Sequence, residues 1–132
     1  MTDYSALFRP FRLGNLELPN RIVMAPMTRN QSPDGVPTDL SREYYRRRAA
    51  GGVGLIVTEG TCINHIAASG YLDVPFFYGS KSLDAWAQVT EAVHEEGGKI
   101  APQLWHCGGM RGSGTLPAGD IKGYTPSGMN VP

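Results

Sequence analysis

Four side chains of metal-ligand type stand in two short stretches, Cys62 with His65 and His106 with Cys107. Two cysteines and two histidines suit zinc by type, but neighbours in an extended chain point to opposite sides, so His106 and Cys107 cannot easily share one ion. The expectation is no metal. Three further groups mark the ends of apolar runs: Thr28 follows Ala25-Pro26-Met27, Gly60 follows Val57-Thr58-Glu59, and Gln103 lies late in Lys99–Trp105. A hydroxyl and a carboxamide both donate and accept, and a carboxamide buried in a strand is costly unless it finds a partner. A glycine allows another group to approach the backbone closely, although Gly60 also fits a plain turn at a strand end. Trp105 and Tyr71 add flat rings, which could equally be core or rim packing. The run Arg46-Arg47-Arg48 reads as a solvated helix C-terminus that complements the dipole rather than as a phosphate site.

The elements that must carry these groups follow from patterning. Phe8 to Pro19 alternates around Gly14-Asn15 and predicts a small hairpin that caps something larger. Arg21 to Pro26 predicts strand one, apolar on both faces and stopped by proline. Thr38 is a candidate N-cap for helix one, with Asp39 in its first turn, Leu40 and Tyr44 at helical spacing, and Gly51-Gly52 at its end. Val53 to Gly60 predicts strand two, and a long loop runs from Thr61 to about Ser80. Helix two begins near Ser82, buries a stripe of Leu83, Trp86, Val89 and Val93, and ends at Gly97-Gly98. Lys99 to Trp105 predicts strand three. From 107 to 132 no periodicity remains, which suggests a long functional loop.

Strand, helix, strand, helix, strand with short returns predicts parallel strands joined by right-handed crossovers. The chain has 132 residues, 41% apolar and 18% charged, enough to build a core. Lys plus Arg number 12 and Asp plus Glu number 12, leaving no excess positive charge for nucleic acid or a membrane surface. No apolar run approaches the roughly 18 to 20 residues of a membrane span, and Met1 to Ser5 lacks the start of a signal peptide, so a cytoplasmic location with free thiols at Cys62 and Cys107 is expected. Gly 17 and Pro 10 place much of the chain in loops. A (β/α)8 barrel needs roughly 250 residues, and about three units are present here. Three parallel strands cannot close, so residues 1–132 are expected to be one piece of a single α/β barrel domain whose other strands come from a complementary polypeptide.

Several ordered motifs carry a resemblance. Leu7-Phe8-Arg9-Pro10, Asn20 to Arg29, Glu43 to Ala49, Gly54 to Gly60, Ala68-Ser69-Gly70-Tyr71 and Gln103-Leu104-Trp105-His106 resemble the N-terminal part of the old yellow enzyme family, FMN-dependent ene-reductases on a (β/α)8 TIM barrel. Thr28, rather than cysteine, is similar to the classical branch. The resemblance implies that Pro26, Met27, Thr28, Gly60 and Gln103 line one side of FMN. Thr28, the position with a catalytic part through flavin tuning, would donate to O4; Gly60 would touch the ring edge through its backbone; Gln103 would pair with the pyrimidine edge. Trp105 and Tyr71 would line the substrate pocket. The activity implied is hydride transfer from NAD(P)H through FMN to an activated alkene such as an enone. The family's polarising His/His or His/Asn pair, its acid tyrosine and its phosphate-holding loops correspond to positions after 132, and His106-Cys107-Gly108-Gly109 departs from the His-Thr-Gly-Arg pattern. An isolated chain is therefore expected to hold FMN poorly and not turn over; a non-catalytic assembly piece is the alternative, and homo-oligomers are compatible with either.

Overall fold

The computed structural model describes residues 2–111 and 121–129. Two short antiparallel strands, β1 (Phe11–Leu13) and β2 (Leu16–Leu18), form the hairpin, with Gly14 at φ +56° in its turn. The chain then alternates: β3 (Val23–Met24), α1 (Asp39–Ala50), β4 (Leu55–Cys62), α2 (Ser80–Glu95) and β5 (Lys99–Trp105). The last three strands form one parallel sheet in the sequential order β3-β4-β5. Both helices lie on the same face, because Tyr45 and Ala49 of α1, Ile56 of β4 and Trp86, Val89 and Val93 of α2 share one buried cluster. Sequential order with all crossover helices on one face is the winding of a barrel wall, not of a doubly wound sheet, which places helices on both.

Several expectations need correcting. Strand one is only Val23–Met24, so Pro26, Met27 and Thr28 lie in exposed coil beyond it, and Val23 is half exposed because β3 is a sheet edge. Strand two continues through Thr61 and Cys62, which pair with Leu104 and Trp105, so the loop starts later. Thr38 caps nothing with its side chain; its hydroxyl reaches Gln31 C=O instead. Leu40 and Leu83 face outward, and Ser41 and Ser82 are the buried residues at those helix starts. Gln103 is exposed rather than buried, on the face of the sheet opposite the helices. The stretch after 107 contains a short 3-10 turn at Gly108–Met110, and 112–120 and 130–132 lie outside the described residues. Among the described residues no helix is long and apolar enough to cross a membrane.

The pairing of β4 with β5 has one irregularity. Val57 pairs with Ala101 and Gly60 with Gln103, so Thr58 and Glu59 together stand opposite Pro102. Lys99, Gln103 and Trp105 turn their backbone groups toward β4, so Pro102 turns its own toward the open edge of the sheet, where a missing N–H costs the β4–β5 ladder nothing; the extra residue of this bulge lies on β4. Beyond the bulge the Glu59 side chain turns to the helices, while the open side of Gly60 faces Trp105.

Candidate functional site

The C-terminal tips of β4 and β5 and the coil after β3 meet at one end of the sheet. Gly60 and Gln103 are register partners there. Two threonine hydroxyls pin the Gln103 backbone: its N–H donates to Thr58 Oγ1 at 3.1 Å, and its C=O accepts from Thr61 Oγ1 at 3.0 Å. Thr58 Oγ1 in turn donates to Glu59 C=O at 2.7 Å, which closes the bulge. The backbone of Gln103 is thereby held by side chains that are themselves buried, while its carboxamide is exposed.

Thr28 joins the same corner through its neighbour. The Arg29 backbone N–H donates to Glu59 Oε2 at 3.1 Å, and the guanidinium donates to Oε1 from Nη2 at 2.8 Å and Nε at 3.1 Å. Arg29 also donates to Ser41 Oγ at 2.9 Å and lies 4.0 Å over the Tyr44 ring, with Tyr45 at 5.1 Å. Glu59 is 1% exposed, and its N–H donates to the Tyr45 hydroxyl at 3.0 Å. Burial raises the Tyr45 phenol above its ordinary value, so it remains a neutral donor and acceptor. Sequence reasoning missed Arg29 and Glu59 as a pair. A glutamate inside an apolar strand was the available signal, since a buried carboxylate requires a cation.

Trp105 and Tyr71 stack with ring centroids 5.3 Å apart and planes 20° apart. A Cβ built on Gly60 would fall inside the Trp105 indole, so the missing side chain is filled by that ring. The Tyr71 turn is held by Ser69, whose Oγ accepts from Tyr71 N–H and donates to Tyr71 C=O. The structure thus brings Gly60, Gln103, Trp105 and Tyr71 together at one end, and the bond from Arg29 to Glu59 sets Thr28, with Pro26 and Met27 before it, on the adjoining coil. The chemistry of this end, an exposed carboxamide on a strand tip, an exposed hydroxyl on the adjoining coil and a stacked aromatic pair, suits a flat heterocycle that carries carbonyl and imide groups, as an isoalloxazine does.

The cysteine and histidine pairs part company. His65 Nδ1 accepts from Ala67 N–H at 3.2 Å and His106 Nδ1 from Gly108 N–H at 3.1 Å, so the 3.3 Å contact between the rings is His106 Nε2–H donating to His65 Nδ1. Tyr124 packs edge-on against His65. Cys62 instead sits with Ala68 and Val74 in an apolar cluster, where burial raises its thiol pKa, and both cysteines are free. Among the described residues no three His, Cys, Asp or Glu side chains gather as a metal site.

A family model described as NADH:flavin oxidoreductase / NADH oxidase matches residues 6–128. The flavin oxidoreductase hxnT of Emericella nidulans is 45% identical over 131 residues, covering 96% of this chain and 32% of that protein. The 12-oxophytodienoate reductase 7 of Oryza sativa subsp. japonica is 42% identical over 102 residues, 77% of this chain and 25% of its own length. Among solved structures, morphinone reductase superposes with TM-score 0.77 at 42% identity, covering 89% of this chain and 31% of that one. The old yellow enzyme homologue from Zymomonas mobilis gives 0.75 at 40% identity, 82% of this chain and 30% of that one. The chain spans about a third or less of the length of these relatives.

Proposed function

The chain belongs to the NADH:flavin oxidoreductase / NADH oxidase family, the old yellow enzymes, and from that membership we propose that it forms the strand-tip wall of the FMN site in an ene-reductase. It is the N-terminal portion of a (β/α)8 barrel, FMN is the family's cofactor and a nicotinamide its reductant. When bound, FMN supplies hydride chemistry between NAD(P)H and the electron-poor double bond of an activated alkene. The observation that carries the reading is the strand tip where exposed Gln103 stands on backbone pinned by Thr58 and Thr61 near the stacked Trp105 and Tyr71, with exposed Thr28 on the coil that Arg29 ties to Glu59.

Each residue then has a part to play. The Thr28 hydroxyl donates to the ring edge where negative charge develops, stabilising the reduced form. Gln103 presents one donor and one acceptor to the imide edge. Gly60 admits the Trp105 indole against the strand, and its backbone borders the ring. Trp105 and Tyr71 exclude water and receive a planar unsaturated substrate by stacking. Pro26 and Met27 line the approach to Thr28. The remaining strands, with the groups that polarise the alkene and deliver its proton, come from sequence outside this chain. Flavin titration of the complete barrel tests the reading: Thr28→Ala and Gln103→Ala should each weaken FMN binding about tenfold, the loss of one hydrogen bond. Binding unaffected by both would refute it.

A further inference from the structure

Glu59 takes no part in the hydride chemistry, yet it sits at the centre of the corner. Its two oxygens are divided between two duties: Oε2 takes the backbone N–H of Arg29, the residue after Thr28, and Oε1 takes the Arg29 guanidinium. Glu59 also directly precedes Gly60, the register partner of Gln103. One buried carboxylate therefore ties the coil that bears Thr28 to the strand tips that bear Gly60 and Gln103. Tyr45 fixes the Glu59 backbone from α1, and Ser41 and Tyr44 fix the guanidinium. Apolar side chains of similar volume would join a strand to a helix at least as stably as a buried ion pair does. What they could not do is hold the amide one residue beyond Thr28 by a directional bond.

We propose that Glu59 is a positioning residue that sets the reach of the Thr28 hydroxyl to the flavin, and so adjusts the reduction potential through Thr28 without touching the cofactor. This rests on the assignment of the corner as a flavin wall. Glu59→Gln is the informative change, because a carboxamide supplies one acceptor oxygen where two are in use and turns an NH2 group toward the remaining donor. The Arg29 amide and guanidinium then compete for that oxygen, and the coil at Thr28 loosens.

The experiment measures the flavin midpoint potential of the FMN-loaded complete barrel for the parent, Thr28→Ala, Glu59→Gln and the double variant. Thr28→Ala and Glu59→Gln should each lower the potential, and the double variant should lie no lower than Thr28→Ala alone, since Glu59 acts only through that hydroxyl. A Glu59→Gln shift of equal size in both backgrounds, or no shift in the parent background, overturns the proposal. A Thr28→Ala potential equal to the parent's removes the flavin reading itself, a different signature. Should Glu59→Gln not fold, Arg29→Lys retains charge but loses the two-pronged donor, and it should reproduce part of the shift, again only when Thr28 is present. In the flavin-free protein, hydrogen exchange at the residue 29 amide should rise at least tenfold in either variant; unchanged exchange also overturns the proposal.

Discussion

At position 60 the space of a side chain is taken by the Trp105 indole, so a methyl group there must displace a rigid ring rather than a flexible chain end. Gly60→Ala should cost about 1–3 kcal/mol in denaturant unfolding and move Trp105 off Tyr71, read as an altered tryptophan emission. Tyr45→Phe tests a neighbouring contact: without the hydroxyl, the buried Glu59 N–H loses its acceptor, and unfolding should show a loss of about 1–3 kcal/mol. The positions of Gly60, Gln103 and Trp105 on the strand tips followed from the apolar runs, while the roles proposed for them and for Thr28 came from family resemblance. The Arg29–Glu59 pair was not, since its members lie 30 residues apart and only the parallel pairing of β3 with β4 brings them together.

Helix α1 shows how a charged run serves an element. Arg46 and Arg47 both hydrogen-bond Glu43 and hold its carboxyl down to about 2, and Arg46 also bonds Glu96 at the end of α2. The folded value lies below the ordinary 4.5, so this support is complete above that pH and is lost as pH falls toward about 2. Acid unfolding followed by circular dichroism should therefore show a salt-sensitive loss of α1 over that window, flattened in Glu43→Gln. Because the group is solvent-exposed, the effect should be small. Arg48 differs, lying 3.4 Å over the Tyr44 ring, so the arginine run is less uniformly solvated than its composition implies. Patterning located β5 to the residue, but it set strand two early by two residues at both ends and strand one long. Strand ends depend on the partner's ladder: β4 continues because Leu104 and Trp105 pair with it, whereas β3 pairs with β4 only at Val23 and Met24.

At the scale of the whole chain, the sheet leaves β3 and β5 as open edges, with Val23 and Leu104 half or more exposed on them. Open parallel edges with apolar side chains invite pairing. Residues 1–132 prepared alone should associate in sedimentation experiments and retain no FMN, and both properties should reverse when the remaining barrel strands are supplied. The barrel winding was legible in the strand-helix alternation, but the bulge opposite Pro102 was not, because it is a property of how two strands pair and neither run shows it alone. That single offset decides which way the end of β4 faces. Were the ladder regular at this point, the alternation along β4 would carry the Glu59 carboxylate to the face away from the helices and turn Gly60 toward them. A negative charge would then stand on the face proposed to border the electron-accepting ring, so one extra residue in the pairing sets the polarity of that face.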